Sequence, residues 1–197
     1  MKSLYVIFLL ALTTNFFVLS QEDDKDSIHY LTLSEARNLP EDEVYAIDLS
    51  KMRLSFIPNE IVKYKNLRHL NLYKNKIAEL PDFIVDFKHL IELNLGKNQL
   101  SVFPSLICKM SNLRFLTLNQ NKFSLISDCI SNLTELEYID LWDTPIETFP
   151  NAFLSMRKLK EIDMRGVIYG FNYQRKWANQ LNWMKINFDA PCDCMDR

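Results

Sequence analysis

Residues 67–135 consist of three consecutive copies of one 23-residue unit, with no insertion between them. The copies are LRHLNLYKNKIAELPDFIVDFKH, LIELNLGKNQLSVFPSLICKMSN and LRFLTLNQNKFSLISDCISNLTE. They share the pattern LxxLxLxxNxΦxxΦPxxIxxΦxx, in which Φ is apolar, although Ser127 replaces the proline in the third copy. A fixed period of this length predicts a solenoid, because one unit can bury its apolar residues only by stacking on its neighbours.

Each unit begins with a predicted short strand. Leu70 and Leu72 are two residues apart, so both point to one face of a strand while the residue between them points to the other. The equivalent leucines of the next two copies have the same spacing. After Pro81, the three-residue spacing of Ile84 and Phe87 suits a single turn of helix or 3₁₀ helix.

The pattern resembles that of the leucine-rich repeat family. The resemblance implies an α/β solenoid: a right-handed coil with a parallel concave sheet, short helical or 3₁₀ segments on the convex side, and a cap at each end. It also implies that Asn75, Asn98 and Asn121 form a ladder that bonds to turn backbones of the adjacent coil, where buried backbone groups need partners. Proteins of this family commonly recognise other proteins through the concave face.

The N-terminal segments show three different patterns. Residues 1–20 have a lysine, an apolar run and small residues near Ser20, which is typical of a secretory signal peptide cleaved after that residue. Polar residues interrupt the run and disfavour a membrane span, with an uncleaved anchor as the alternative. Residues 21–29 form an acidic leader predicted to be disordered. Residues 30–43 resemble the N-terminal caps of secreted bacterial leucine-rich repeat proteins, with Thr32 and Glu35 spaced as a capping box.

The repeats are predicted over residues 44–166, as five full units and part of a sixth. The first unit has Met52 and the fifth has Thr144 where the other units have asparagine. Residues 167–188 resemble a C-terminal cap, with a helix predicted over 171–183 and a final parallel strand over 184–188. Residues 189–197 form a tail.

Four cysteines leave the disulfide pattern open. Cys108 and Cys129 lie in neighbouring repeats but at positions 19 and 17 of the unit, and this offset favours two separate small buried residues over a bridge. Cys192 and Cys194 lie in the tail, two residues apart. A bond between them would be strained, and no second ligand pair favours a metal there, so we predict a mobile tail whose thiols pair variably or not at all.

Several functional classes are disfavoured by composition. The chain has only three glycines, so it cannot build a glycine-rich phosphate loop. Its formal net charge of −2 gives no indication of a nucleic-acid partner. His29, His69 and His89 match no catalytic motif, and His69 is expected on the exposed strand face. We therefore predict no catalytic residue, no cofactor and no metal, and a shallow concave sheet in place of a catalytic cleft.

Two groups of exposed strand and turn residues are candidates for partner binding. Lys51, Lys74 and Lys97 occupy one slot in consecutive repeats and predict a basic edge on the N-terminal half. The C-terminal half is predicted to be acidic. The residues responsible are Glu137, Asp140, Asp143, Glu161 and Asp163.

The second candidate group consists of aromatic side chains together with two of the aspartates named above. Phe115 and Tyr138 share a slot on adjacent strands about 4.8 Å apart, and Trp142 is expected on the same face. Together with Asp140 and Asp163 they predict a hot spot for a cationic side chain of a protein partner, because neighbouring carboxylates repel unless a cation intervenes. The alternative is a plain exposed sheet in which Arg165 pairs the two aspartates internally.

Two further functions stay open. Tyr73 and the three aromatic residues of the predicted hot spot could stack on sugars, which would make the protein a carbohydrate or cell-envelope binder; otherwise the solenoid is purely structural. Soluble sugars would compete with glycan binding, whereas salt would weaken charge-assisted protein recognition. Asn132 begins a glycosylation sequon, Asn-Leu-Thr, which matters only in a host that uses this signal. Partner identity and oligomeric state are not predicted.

Overall fold

A computed structural model describes residues 28–167 and 169–190. The predictions for the signal peptide, for most of the acidic leader and for Cys192 and Cys194 fall outside these residues. Within the described ranges, no helix has the length and apolarity needed to cross a bilayer.

The described residues contain one sheet of seven parallel strands, hydrogen-bonded in chain order. The strands are β1 Ala46–Asp48, β2 His69–Asn71, β3 Glu92–Asn94, β4 Phe115–Thr117, β5 Tyr138–Asp140, β6 Glu161–Asp163 and β7 Lys185–Asn187. From β1 to β6 each residue pairs with the equivalent residue of the next repeat, as Ala46 does with His69. The predicted parallel sheet is confirmed, and its register follows directly from the 23-residue period.

A five-residue 3₁₀ helix follows each of the first five strands. These helices are Asn59–Lys63, Asp82–Asp86, Ser105–Lys109, Asp128–Asn132 and Asn151–Ser155. A proline precedes four of them, where its fixed φ suits the start of a helical turn. At the fourth, the Ser127 hydroxyl instead accepts a hydrogen bond from the Cys129 N–H at 3.4 Å.

The asparagine ladder implied by the family resemblance is present. The Asn98 amide oxygen accepts from the Ile77 N–H at 3.0 Å, and its nitrogen donates to the Leu72 and Leu95 carbonyls, each at 3.0 Å. Asn75 and Asn121 make the equivalent bonds. Each asparagine therefore joins two coils and satisfies backbone groups that are shielded from water.

Both ends of the coil are covered. Helix α1, Leu33–Ala36, begins at the predicted capping box, in which the Thr32 hydroxyl and the Glu35 carboxylate bond reciprocally to backbone N–H groups. At the other end, helix α2 spans Phe171–Gln180 and buries Trp177 against the last coil. It ends three residues before the predicted boundary, because residues 181–183 form a turn that leads into β7.

The prediction that Cys108 and Cys129 are separate residues is wrong, because they form a disulfide. Their Cα atoms are 5.6 Å apart, within the usual range for a disulfide. The 3₁₀ helices that carry them stack side by side on the convex surface, so a displacement of two positions still leaves the side chains facing each other. No cysteine of the described residues is free.

Candidate functional site

Two rows of side chains cross the concave face of the sheet. Pairing of strands places equivalent residues side by side, and the strand residue between the rows is buried in the core. The first row is Ala46, His69, Glu92, Phe115, Tyr138, Glu161 and Lys185. The second row is Asp48, Asn71, Asn94, Thr117, Asp140, Asp163 and Asn187.

The predicted aromatic residues are carried by β4, by β5 and by the turn that follows β5. Phe115 on β4 pairs directly with Tyr138 on β5, and a shallow depression of about 240 Å³ lies beside them. Glu137, Lys160 and Glu161 complete its lining. Trp142 follows β5 and is 40% exposed. Burial and the nearby carboxylates raise the pKa of Tyr138 to about 12, so its phenol is neutral at physiological pH.

The two predicted aspartates have different partners. Asp163 is only 4% exposed, and Arg165 binds it through two nitrogens, with Nη2 2.6 Å from Oδ2. Asp140 accepts hydrogen bonds from the Asn119 amide at 2.5 Å and from the Trp142 backbone N–H at 2.9 Å. Arg165 therefore pairs with one aspartate and leaves the other without an ion pair among the described residues.

The pKa values of these two carboxyls are shifted in opposite directions. Desolvation raises the pKa of Asp140, more than its hydrogen bonds lower it. Desolvation also acts to raise the pKa of Asp163, but the hydrogen bonds and charge of Arg165 outweigh it and hold that pKa below its usual value.

The C-terminal half of the face is less acidic than predicted, because basic side chains neutralise most of its carboxylates. Glu137 lies 2.7 Å from Arg114 Nε and also contacts Lys160 Nζ. Glu161 is 3.0 Å from Lys185 Nζ. The bond from Lys160 lowers the pKa of Glu137 despite partial burial, and the bond from Lys185 lowers that of Glu161. The acidic half of the predicted charge pattern is thus largely neutralised within the chain, whereas Lys51, Lys74 and Lys97 of the basic half have no ion pair among the described residues.

The prediction that His69 is exposed is wrong, since only 5% of its surface is accessible. Tyr30 packs edge-on against it with ring centroids 6.3 Å apart. His69 Nδ1 and the Tyr30 hydroxyl both approach Glu92 Oε2, at 3.2 and 3.3 Å. Tyr30 precedes the first repeat, so the periodic pattern gave no indication that it would cover this end of the face.

The three lysines of the predicted basic edge lie on the turns after β1, β2 and β3, beside the sheet. Lys51, Lys74 and Lys97 each have a positive φ and an exposed side chain. The Lys51 N–H donates to the Tyr73 carbonyl at 2.8 Å, and the other two make the equivalent bond to the next coil. Tyr73 itself is half-buried beside the concave rows. The lysines and the aromatic depression are therefore two separate surfaces.

No group of three or more histidine, cysteine, aspartate or glutamate side chains within residues 28–167 and 169–190 could hold a metal ion.

These features define a solenoid protein in which each full coil contributes one strand and one 3₁₀ helix, and three consecutive coils contribute a ladder asparagine each. The described residues have the fold of leucine-rich repeat proteins. The family model described as Leucine rich repeat matches residues 65–123. Comparison with curated protein sequences gives no match.

Solved structures share the fold at low identity. An internalin (InlF) from Listeria monocytogenes superposes with a TM-score of 0.63 at 16% identity, covering 76% of this chain and 42% of its own. A chain from the Toll–Spätzle complex of Drosophila gives 0.57 at 22% identity, covering 68% of this chain and 18% of its own. The functional domain of InlJ from Listeria monocytogenes, whose structure includes a cysteine ladder, gives 0.50 at 18% identity, with 75% and 28% covered. This chain spans less than half the length of each.

Proposed function

We propose that this protein is a non-catalytic recognition module that binds a protein partner on the concave sheet. Leucine-rich repeats are commonly protein-interaction modules, and one structural neighbour comes from a complex between Toll and Spätzle. The observation that carries the proposal is the depression lined by Phe115 and Tyr138 on a hydrogen-bonded sheet, together with Trp142, which follows β5 and is 40% exposed. Aromatic side chains that line a depression are favoured at the centres of protein interfaces.

The partner group that fits this surface is a lysine or arginine side chain. Asp140 has no ion pair among the described residues, and a cation beside it would favour the ionised form that burial disfavours. Trp142 follows Asp140 by two residues, is 40% exposed, and offers its ring for a cation–π contact. The sequence also predicts that Asp163 binds the partner's cation, but Arg165 already forms an ion pair with Asp163. The proposed hot spot therefore centres on Asp140. The Asp163–Arg165 ion pair lies on the C-terminal side of it and does not bind the partner's cation.

We also propose that the protein is exported. Residues 1–20 have the signal-peptide pattern, and the Cys108–Cys129 disulfide is of a kind that persists in oxidising compartments. Mass spectrometry of the protein from the host's secreted and envelope fractions would test both features. We expect a chain that begins after Ser20 and contains the disulfide. A chain recovered intact from the cytosol with reduced thiols would contradict export.

A capture experiment tests the binding site. Residues 21–197, which include every described residue, serve as bait for the secreted and envelope fractions, beside a Tyr138→Ala, Trp142→Ala variant. The matched control is Tyr45→Ala, Phe171→Ala, since these aromatic residues are also exposed but lie neither on β5 nor on the turn that follows it. We expect the parent and the control to retain a protein that the site variant loses. Equal capture by all three would contradict the proposed site.

Two additions to the same experiment separate protein recognition from the alternatives. Salt should weaken capture if a cation binds Asp140, whereas soluble sugars should compete if the aromatic residues stack on a glycan. If the parent captures no protein but binds a sugar in a glycan screen, carbohydrate binding replaces protein recognition.

A further inference from the structure

A second surface runs along the side of the solenoid, on the turns that follow the strands. We call it the lateral edge and define it by positions 8, 10 and 13 of the first four repeats. Its members are Lys51, Arg53, Phe56, Lys74, Lys76, Glu79, Lys97, Gln99, Val102, Gln120, Lys122 and Leu125. Backbone hydrogen bonds stack these turns on one another, for example Lys76 N–H to the Leu54 carbonyl at 2.7 Å and Lys122 N–H to the Leu100 carbonyl at 2.9 Å.

Position 13 presents a column of exposed apolar side chains. Phe56 is 76% exposed, Val102 75% and Leu125 59%. The residue after each of them is buried in the core, so these three side chains project away from it. Glu79 occupies the same position in the second repeat and interrupts the column. Exposed apolar side chains that recur at one repeat position indicate a binding surface, whereas single scattered ones need no explanation.

The same edge carries six basic side chains without an ion pair within the described part of the chain. They are Lys51, Arg53, Lys74, Lys76, Lys97 and Lys122. The ion pairs of lysine and arginine form elsewhere, for example Arg37 with Glu60 near the N-terminal cap and Lys158 with Glu135 on another surface. A chain with a formal net charge of −2 thus concentrates unpaired positive charge on one edge.

The shape of the lateral edge favours a lipid surface over a folded protein. Val102 and Leu125 are one repeat apart, and Phe56 is two repeats from Val102. Neither the depression beside Tyr138 nor the groove of about 720 Å³ beside Tyr169 includes any residue of the edge. A protein interface is centred on close-packed pockets. Peripheral membrane binding instead requires apolar side chains that enter the acyl boundary and cations that meet anionic headgroups.

We propose that the lateral edge binds the surface of a membrane that contains anionic lipids. Phe56, Val102 and Leu125 enter the interface, and the six cations contact the headgroups. The solenoid then lies along the membrane with its concave sheet facing sideways, free to hold the partner of the proposed function. The two surfaces do not overlap, so failure of one proposal does not affect the other.

Vesicle co-sedimentation of residues 21–197 tests the proposal. The vesicles are phosphatidylcholine alone or phosphatidylcholine with phosphatidylserine, at low and at physiological salt. One variant changes Lys74, Lys76 and Lys97 to Gln, and another changes Phe56, Val102 and Leu125 to Ser. The charge-matched control changes Lys88, Lys109 and Lys176 to Gln, three exposed lysines that lie off the edge and have no ion pair among the described residues.

We expect the parent and the control to bind only the anionic vesicles, with binding weakened by salt. Each basic side chain near an anionic surface contributes about fivefold, so the lysine variant should lose more than tenfold in affinity. The apolar variant should lose at least about tenfold, because its electrostatic attraction remains but its insertion is removed. Circular dichroism verifies that each variant is folded. The proposal is overturned if the parent does not bind anionic vesicles at low salt, or if the parent and both edge variants bind them equally. The lateral edge would then be a candidate site for an acidic protein partner.

Discussion

Arg165 holds Asp163 from two residues further along the chain, with Nη2 2.6 Å from Oδ2 and Nε 3.0 Å from Oδ1. The neighbouring carboxylates of Asp140 and Asp163 predict a cation from a partner. For Asp163, Arg165 of the same chain supplies that cation. Because this carboxylate is almost completely buried, the pairing sets both its charge state and the border of the proposed site.

Replacing Arg165 by Met should change how stability depends on pH. In the parent, Arg165 lowers the pKa of Asp163 below its unfolded value, so the ionised carboxylate stabilises the fold above about pH 4, and this contribution is lost as pH falls through the folded pKa. Without the guanidinium, burial alone should raise the pKa of Asp163 and reverse the sign. Denaturant unfolding should therefore show a stability difference between parent and variant that is largest near neutral pH and shrinks on acidification.

Arg175→Met is the matched control, since Arg175 is an exposed arginine on α2 with no ion pair among the described residues. Its stability difference from the parent should not depend on pH. If Arg165→Met behaves in the same way as this control, the assignment of the Asp163 pKa to Arg165 is wrong.

The asparagine ladder predicts a large effect from a single amide. Asn98→Ala removes one acceptor and the donors that serve three carbonyls. It leaves the Ile77 N–H and the Leu72, Leu95 and Gly96 carbonyls without these partners. Each unsatisfied buried group costs about 1–3 kcal/mol, so we expect the free energy of unfolding to fall by about 3 kcal/mol or more. Urea unfolding measures this change.

The chain provides its own comparison for that prediction. Thr144 occupies the ladder position of the fifth repeat and donates to the Leu141 carbonyl at 2.5 Å. Asn98→Thr should therefore retain part of the stability, while Gln99→Ala, at the exposed neighbouring position, should change it by less than about 0.5 kcal/mol. A loss with Gln99→Ala equal to that with Asn98→Ala would contradict the special role of the ladder.

The disulfide should contribute substantially to stability. It joins Cys108 and Cys129, which are 21 residues apart, and closing a loop of this size is worth about 3 kcal/mol in the chain-entropy description. A Cys108→Ser, Cys129→Ser variant should unfold more easily by this amount. Adding a reductant should destabilise the parent equally and leave the double variant unchanged, and a reductant effect on the double variant would assign the stabilisation to the tail cysteines instead.

The periodic part of the chain could be predicted well and the aperiodic part could not. The strand register and the contacts of Asn98 follow from a repeat that places equivalent residues side by side. His69 was misplaced because Tyr30 comes from a segment outside the period, so no spacing relates the two residues. The disulfide was missed because unit positions alone do not show that neighbouring 3₁₀ helices are close enough to absorb a two-residue offset.

The candidate site divides in the same way. Pairing of Phe115 with Tyr138 follows from the repeat. Which of Asp140 and Asp163 forms the ion pair with Arg165 depends on the conformation of the Arg165 side chain, which sequence spacing does not determine. The lateral edge had a signal in the sequence, since Phe56, Val102 and Leu125 share one repeat position. Their meaning depended on exposure, which only the structure provides.

The turn after β6 makes a last prediction about a glycine. Gly166 has φ +78°, and a Cβ there would lie 2.8 Å from the Asp143 nitrogen and 2.9 Å from its Cα. These are backbone atoms of a stacked turn and cannot move aside easily. We therefore expect Gly166→Ala to lower the free energy of unfolding by about 1–3 kcal/mol.

Positive φ alone does not explain that expected loss, because Lys97 occupies the equivalent slot of the third repeat with φ 55° and already has a Cβ. Lys97→Ala should therefore alter the free energy of unfolding by less than about 0.5 kcal/mol, although it places the same residue in the same backbone conformation. Thermal and urea unfolding of the two variants separate the causes. A large loss for Gly166→Ala alone identifies the contact with the Asp143 backbone, whereas equal small effects would show that the turn relaxes around the added methyl group.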